Sequence, residues 1–135
     1  VRIDDGVKIV ATGELVIGPD THLAAYTVIN AGGGVHIGRS VQVSAHCCIY
    51  SASSVYDELK EIVQGVYTRR NESGPVIIDD FAVLGAQAVV LPKTNIGKGA
   101  GIGAGSVVRG RVPPFEVWAG AVARKMRDVR ILKGT

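Results

Sequence analysis

Aromatic side chains are scarce in this sequence: 2 Phe, 1 Trp and 4 Tyr in 135 residues, accompanied by a single Met. A core cannot be built around rings here, so the 47% hydrophobic content must pack as small and branched aliphatic side chains. Long apolar runs are lacking too. None approaches the roughly 20 uncharged residues that span a bilayer. The opening VRIDDGVKIV carries charges where a secretory signal would be apolar. The expectation is a soluble, cytoplasmic protein with no membrane partner. Cysteine is limited to Cys47 and Cys48, adjacent in sequence, which is poor geometry for a disulfide and offers no zinc-type spacing. Both are expected reduced, small and partly buried. The length fits one domain over residues 1–135.

What is present is charge at one end. Residues 1–108 carry 8 basic and 10 acidic side chains, whereas residues 109–135 carry 7 basic (Arg109, Arg111, Arg124, Lys125, Arg127, Arg130 and Lys133) and 2 acidic. Only two aromatic residues, Phe115 and Trp118, fall among these cations, so base stacking has little support and a nucleic-acid partner is not expected. A phosphate-bearing small molecule fits better.

The sequence also has a period. Aliphatic residues recur every six positions at Ile78, Leu84, Val90, Ile96, Ile102 and Val108. Four positions after each stands a small or branched residue: Ala82, Ala88, Thr94, Ala100, Ser106 and Val112. The same grammar runs through Ile17, Leu23 and Ile29 with Thr21, Thr27 and Gly33, and through Ile37, Val43 and Ile49 with Val41, Cys47 and Ser53. The register slips by two around Val35 and Ile37, and again between Ile9 and Ile17. Helices repeat near 3.6 and half-buried strands at two, so a period of six fits neither. It fits a triangular coil in which each hexad supplies one short strand and one corner, three hexads close a turn, and about five turns follow. The general preference for right-handed parallel crossovers does not settle the hand of such a coil.

The segment GPVIIDDFAVLGAQAVVLPKTNIGKGAGIGAGSVVRGRVPPFEVWAGAVARKMR, with IGAGSVV followed by VPP and WAG, closely resembles the late coils and closing segment of bacterial hexapeptide-repeat acyltransferases. It is similar to the sugar O- and N-acetyltransferases, galactoside and maltose acetyltransferases among them. The resemblance extends over nearly the whole chain. Relatives often carry a further N-terminal segment ahead of the stretch that corresponds to it. It implies an all-β fold: a left-handed parallel β-helix with one inserted loop (54–75) and a C-terminal closing segment (113–135). The implied activity is transfer of an acyl group, expected to be acetyl, from acyl-CoA to a hydroxyl or amino group of a sugar or nucleotide sugar in surface-polysaccharide synthesis. The implied assembly is a homotrimer with sites between subunits. Outward small residues such as Val28, Val89 and Val107 agree with that, since flat faces of this kind call for a partner.

By the same resemblance, backbone groups of Ala86 and Ala104 would meet the pantetheine arm of acetyl-CoA, while Arg109, Arg124 and Lys125 would lie near its phosphates. Two departures fall in this region: Pro92-Lys93-Thr94 replaces the usual Pro-Gly-Val, and Gly120-Ala121-Val122-Ala123 replaces Gly-Asn-Pro-Ala. A third is chemical. The general-base histidine that family members place just after a coil like CIYSAS corresponds here to Ser54. His22, His36 and His46 all fall at outward hexad positions. His46, on the coil immediately before CIYSAS, is the best substitute, and the loop carboxylates Asp57 and Glu58 are further candidates. An amino acceptor would need less help, because a neutral amine attacks without strong base assistance. In the loop itself, DELKEIV is compatible with one or two helical turns. Tyr56, Tyr67, Arg69 and Arg70 offer stacking and anion-binding groups suited to a sugar nucleotide, or an arm that wraps a neighbouring subunit. No metal is expected: a γ-class carbonic anhydrase shares the coil, but the histidine spacing does not fit its zinc. The rival from another class is a non-catalytic hexapeptide scaffold.

Overall fold

The computed structural model describes residues 1–55, 59–68 and 71–132; for 60–63, 67 and 68 it describes the backbone alone. Among the described residues sixteen short strands pair in parallel and wind a left-handed β-helix of about five turns with three faces, and five further strands form antiparallel hairpins on it. On the first face Ile3, Leu23, Val43, Leu84, Ile102 and Trp118 stack in parallel register. The second face stacks Ile9, Ile29, Ile49, Val90 and Val108. The third stacks Ile17, Ile37, Ile78, Ile96 and Val112. Apart from Trp118 and Val112, the latter expected at a corner, these columns are the hexad aliphatics, and from the second turn to the fifth they are buried. The expected small residues Ala82, Ala88, Ala100, Thr21, Thr27, Thr94 and Ser106 are buried beside them at the corners. The threonines are not orphaned by this: Thr21 Oγ1 donates to Gly38 O at 2.7 Å and Thr94 Oγ1 to Leu91 O at 2.7 Å.

The two-residue slip has a single location. Positions 9, 29 and 49 advance by 20 residues per turn, whereas 90 to 108 advances by 18. The difference falls at the corner between the second and third faces, where Ile9 to Ile17 and Ile29 to Ile37 each take eight residues and Val90 to Ile96 takes six. This wider corner corrects two assignments. Ser53 and Gly33 were expected inside, yet both are half-buried, and Ala31 and Ser51 fill the buried position. The extra residues move the inward position two places back along the chain. Ser51 is satisfied there, with Oγ donating to Asn30 O at 2.7 Å and accepting from Gly33 N at 2.9 Å.

The insertion leaves from this same slack corner in the third turn. Ala52–Ser54 pairs antiparallel with Asn71–Ser73, pairing Ser54 with Asn71 and Ser53 with Glu72. Farther out, Lys60–Ile62 pairs antiparallel with Val66–Thr68 across a 3-10 turn at Val63–Gly65. The helical turns expected of DELKEIV are therefore replaced, over Lys60–Ile62, by a strand. Isoleucine and valine suit a two-stranded arm as well as a helix face, and the cross-strand partner decides.

The closing segment is also a hairpin: Glu116–Gly120 continues the first face and Ala123–Asp128 folds back against it. Its turn reaches sideways, placing Ala121 beside Val107 on the second face. Cys47 is buried and Cys48 half-buried, both free; burial pushes the Cys47 thiol above its ordinary range, consistent with an inert packing role. No helix among the described residues is long and apolar enough to cross a membrane.

Candidate active site

A cleft of about 420 Å³ opens where the arm, the second face and the closing hairpin converge. The arm contributes Ser53, Ser54, Val55 and Glu72; the second face and its corner contribute Leu91, Pro92, Val107 and Arg109; the hairpin turn contributes Val122. The walls are mostly aliphatic, with a hydroxyl, a carboxylate and a guanidinium converging on them, the usual chemistry of a small-molecule site. Two residues expected from sequence, Ser54 and Arg109, are brought together here. Ser54 Oγ donates to Asn71 Oδ1 at 3.4 Å across the arm's root. Arg109 Nη1 donates to Glu72 Oε1 at 3.0 Å, tying the returning strand of the arm to the fifth turn. Sequence reasoning missed Glu72: it is 37 residues from Arg109, and only the antiparallel return of the arm brings them together.

The other expected residues lie elsewhere. His46 occupies the opposite edge of the second face, at the corner with the first, on the order of 15 Å from the cleft by strand rise. It is exposed, holds a left-handed φ of 59°, and stacks on Tyr26 with ring centroids 5.3 Å apart and planes at 18°. Ala86 and Ala104 share that corner column. The Ala86 carbonyl accepts from Gly105 N at 2.9 Å, and among the described residues neither alanine N–H donates to another backbone group. Those N–H groups are of the kind an amide-rich ligand would meet, and the equivalent corner position is proline at Pro19, Pro92 and Pro114. Arg124 is exposed on the closing hairpin, two residues beyond the cleft-lining Val122. Lys125 is engaged by Asp128 at 3.0 Å and Glu116 at 3.5 Å, and the hydrogen bond it donates to Asp128 holds its ammonium above the ordinary range. Arg109 and Lys125 are thus both paired with carboxylates, and Arg124 is exposed beside the cleft.

The side chains of Tyr56, Asp57, Glu58, Tyr67, Arg69 and Arg70 lie outside the described residues. His22 hydrogen-bonds Asp4 through Nε2 at 2.8 Å and Gln42 through Nδ1, so both ring nitrogens are occupied. His36 pairs with Glu14 at 2.7 Å on the third face, where it lines an open depression with Asp79 and Asp80. No group of three or more potential metal ligands exists among the described residues.

A three-faced parallel coil interrupted by one arm, with a candidate site in the cleft at the arm's root, defines a hexapeptide-repeat β-helix. Comparison with known proteins narrows this. No family model matches the chain. The dTDP-4-amino-4,6-dideoxy-D-glucose acyltransferase of Escherichia coli is 33% identical over 132 residues, covering 95% of this chain and 68% of that protein. A UDP-3-O-acylglucosamine N-acyltransferase of Rhodopseudomonas palustris is 32% identical over 123 residues, 90% of this chain but 32% of that protein. The chain thus spans about a third of one relative and about two thirds of the other. Among solved structures, a mutant of AntD, an N-acyltransferase from Bacillus cereus, in complex with dTDP-4-amino-4,6-dideoxyglucose and Coenzyme A, superposes with a TM-score of 0.86 at 24% identity. That match covers 96% of this chain and 70% of the other. A maltose O-acetyltransferase from Clostridium difficile 630 superposes at 0.77 with 23% identity, covering 96% and 68%. The chain belongs to the hexapeptide-repeat acyltransferases.

Proposed function

We propose that this protein transfers an acyl group from acyl-CoA to the amino group of a nucleotide-linked sugar. One observation carries the choice of an amine: Ser54 stands at the root of the cleft where the resemblance expects a histidine. A hydroxyl acceptor must lose its proton as it attacks, which calls for a base near neutral pH; an amine attacks through its own lone pair. The E. coli and R. palustris relatives are named for acyl transfer to amino sugars, and the AntD structure holds an amino-sugar nucleotide with Coenzyme A, which supports the same reading.

In this reading the backbone at Ala86 and Ala104 meets the pantetheine arm, Arg109 and Arg124 meet phosphate, and the arm bearing Tyr56, Tyr67, Arg69 and Arg70 takes the nucleotide. The second face presents Val28, Cys48, Val89 and Val107 as a half-buried stripe between the Ala86 corner and the cleft. Packing that stripe against two further copies gives a homotrimer in which His46 of one subunit approaches the cleft of the next. Acetyl as the group transferred, surface-polysaccharide synthesis as the setting and the cytoplasm as the location complete the proposal. The test pairs calorimetric binding of CoA with turnover of acetyl-CoA against a panel of dTDP- and UDP-linked sugars, some with a free amine and some with hydroxyls alone. Binding of CoA with acylation confined to the amino sugars is expected. Acylation of hydroxyl sugars alone would overturn the choice of acceptor, and absence of CoA binding would favour the scaffold reading.

A further inference from the structure

The reading above leaves open whether one proton goes to the partner subunit's His46 or to a group of the cleft itself. When an amine adds to a thioester carbonyl, the nitrogen of the tetrahedral adduct is an ammonium, and it must lose a proton before the adduct can collapse forward. Among the described residues lining the cleft there is one carboxylate, Glu72, and no histidine. It is not an incidental surface charge. Its backbone is fixed in the ladder that closes the arm's root, opposite Ser53 and next to the Asn71–Ser54 pair. Its side chain is mostly buried, 27% exposed, and is aimed by the 3.0 Å hydrogen bond from Arg109 to Oε1. A carboxylate held by one oxygen keeps a fixed direction and still presents the other to a ligand.

We infer that Glu72 is a catalytic residue of this cleft, the group that takes the proton from the attacking amine; the inference rests on the amino-acceptor reading. The nitrogen lone pair forms the N–C bond as the carbonyl π pair moves onto oxygen. The resulting ammonium gives its proton to Glu72. The oxyanion pair then re-forms the carbonyl, the C–S bond breaks, and CoA leaves as a thiolate that recovers the proton from Glu72. The products are an amide and free CoA thiol, with no other reactant consumed. Arg109 serves both ends of the step: it orients Glu72 through Nη1, and its remaining N–H groups can meet a phosphate. The pair also explains why the arm's return strand is pinned at this turn of the coil and not farther out.

The test uses Glu72→Gln, which keeps the shape and an oxygen for Arg109, together with Glu72→Ala. Glu72→Gln is expected to lower kcat by about 100-fold or more while leaving CoA affinity within about threefold. Formate should restore part of the activity to Glu72→Ala. A Glu72→Gln enzyme with kcat within threefold of the parent overturns the inference and leaves the acyltransferase reading intact. Parallel loss of CoA binding and thermal stability in both variants, without formate rescue, makes Glu72 a structural tie and overturns it as well. A parent protein that binds CoA and acylates no amino sugar defeats both readings together.

Discussion

Gly85→Ala probes the stacking of turns at the corner that carries the candidate cofactor groups. A Cβ placed on Gly85 would stand 2.5 Å from Ala104 N and 2.9 Å from both Ala104 Cα and Gly103 C, all backbone atoms of the next turn. Ordinary contact begins near 3.5 Å, so the turns would have to part locally by about 1 Å. They are held closed on either side by Gly85 N donating to Ile102 O at 2.7 Å and Gly105 N donating to Ala86 O at 2.9 Å. Overpacking against a rigid neighbour costs about 1–3 kcal/mol, and weakening one flanking hydrogen bond adds about 1 kcal/mol. The expected loss is therefore about 2–4 kcal/mol, the sum of those contributions. Two substitutions serve as internal references. Gly101→Ala meets only Val117 Cγ2 at 3.7 Å and is expected to be neutral or slightly stabilising. Gly110→Ala meets nothing within 4 Å but holds φ at +83°, and should cost about 1 kcal/mol from backbone strain alone. Urea denaturation at one fixed protein concentration reads the order, as a shift of midpoint with unchanged slope. Equal midpoints for Gly85→Ala and Gly101→Ala would refute the turn-on-turn packing described here.

Other expectations follow from the same geometry. Leu84→Ala, fully buried between Val43 and Ile102, should cost about 3 kcal/mol, whereas Ile3→Ala on the half-exposed first turn should cost under about 1 kcal/mol; calorimetric melts compare them. The hydrogen bond from His22 holds the Asp4 carboxyl below its ordinary 3.8, despite some opposing desolvation. Its stabilising contribution is present above 3.8 and is lost as pH falls through the lower folded value. Asp4→Asn should therefore melt earlier than the parent at neutral pH and match it well below 3.8, as thermal melts across pH will read. Arg109→Ala should raise the Michaelis constant for acyl-CoA about 10- to 100-fold, the effect of removing a charge-assisted phosphate contact, and steady-state kinetics separates this from kcat.

Much of this architecture could be read before any coordinates, because the inward column is chemically monotonous: Ile78, Leu84, Val90, Ile96, Ile102 and Val108 leave no other period to fit. The two-residue slips were visible as well, but their common position at one corner was not, since it depends on which turns lie above and below. That is why Ser53 and Gly33 were placed inside in error, and Ala31 and Ser51 overlooked. The arm was ambiguous for a different reason: Lys60–Ile62 has no hexad neighbour to constrain it, and its strand state depends on Val66–Thr68 alone. Of the cleft, Ser54 and Arg109 could be named from their motifs. Glu72 and Val122 could not, because each arrives by the return of a hairpin, and no local spacing records where a hairpin's second strand comes to rest.

The claim on which the rest turns is acyl transfer to nitrogen, and the linkage in the product reports it directly. The protein would be incubated with radiolabelled acetyl-CoA and a dTDP-linked amino sugar, and the isolated product treated with alkaline hydroxylamine, which cleaves oxygen esters and spares amides. Label that stays on the sugar is the predicted result; label released as the hydroxamate, or no label on the sugar at all, would contradict the account.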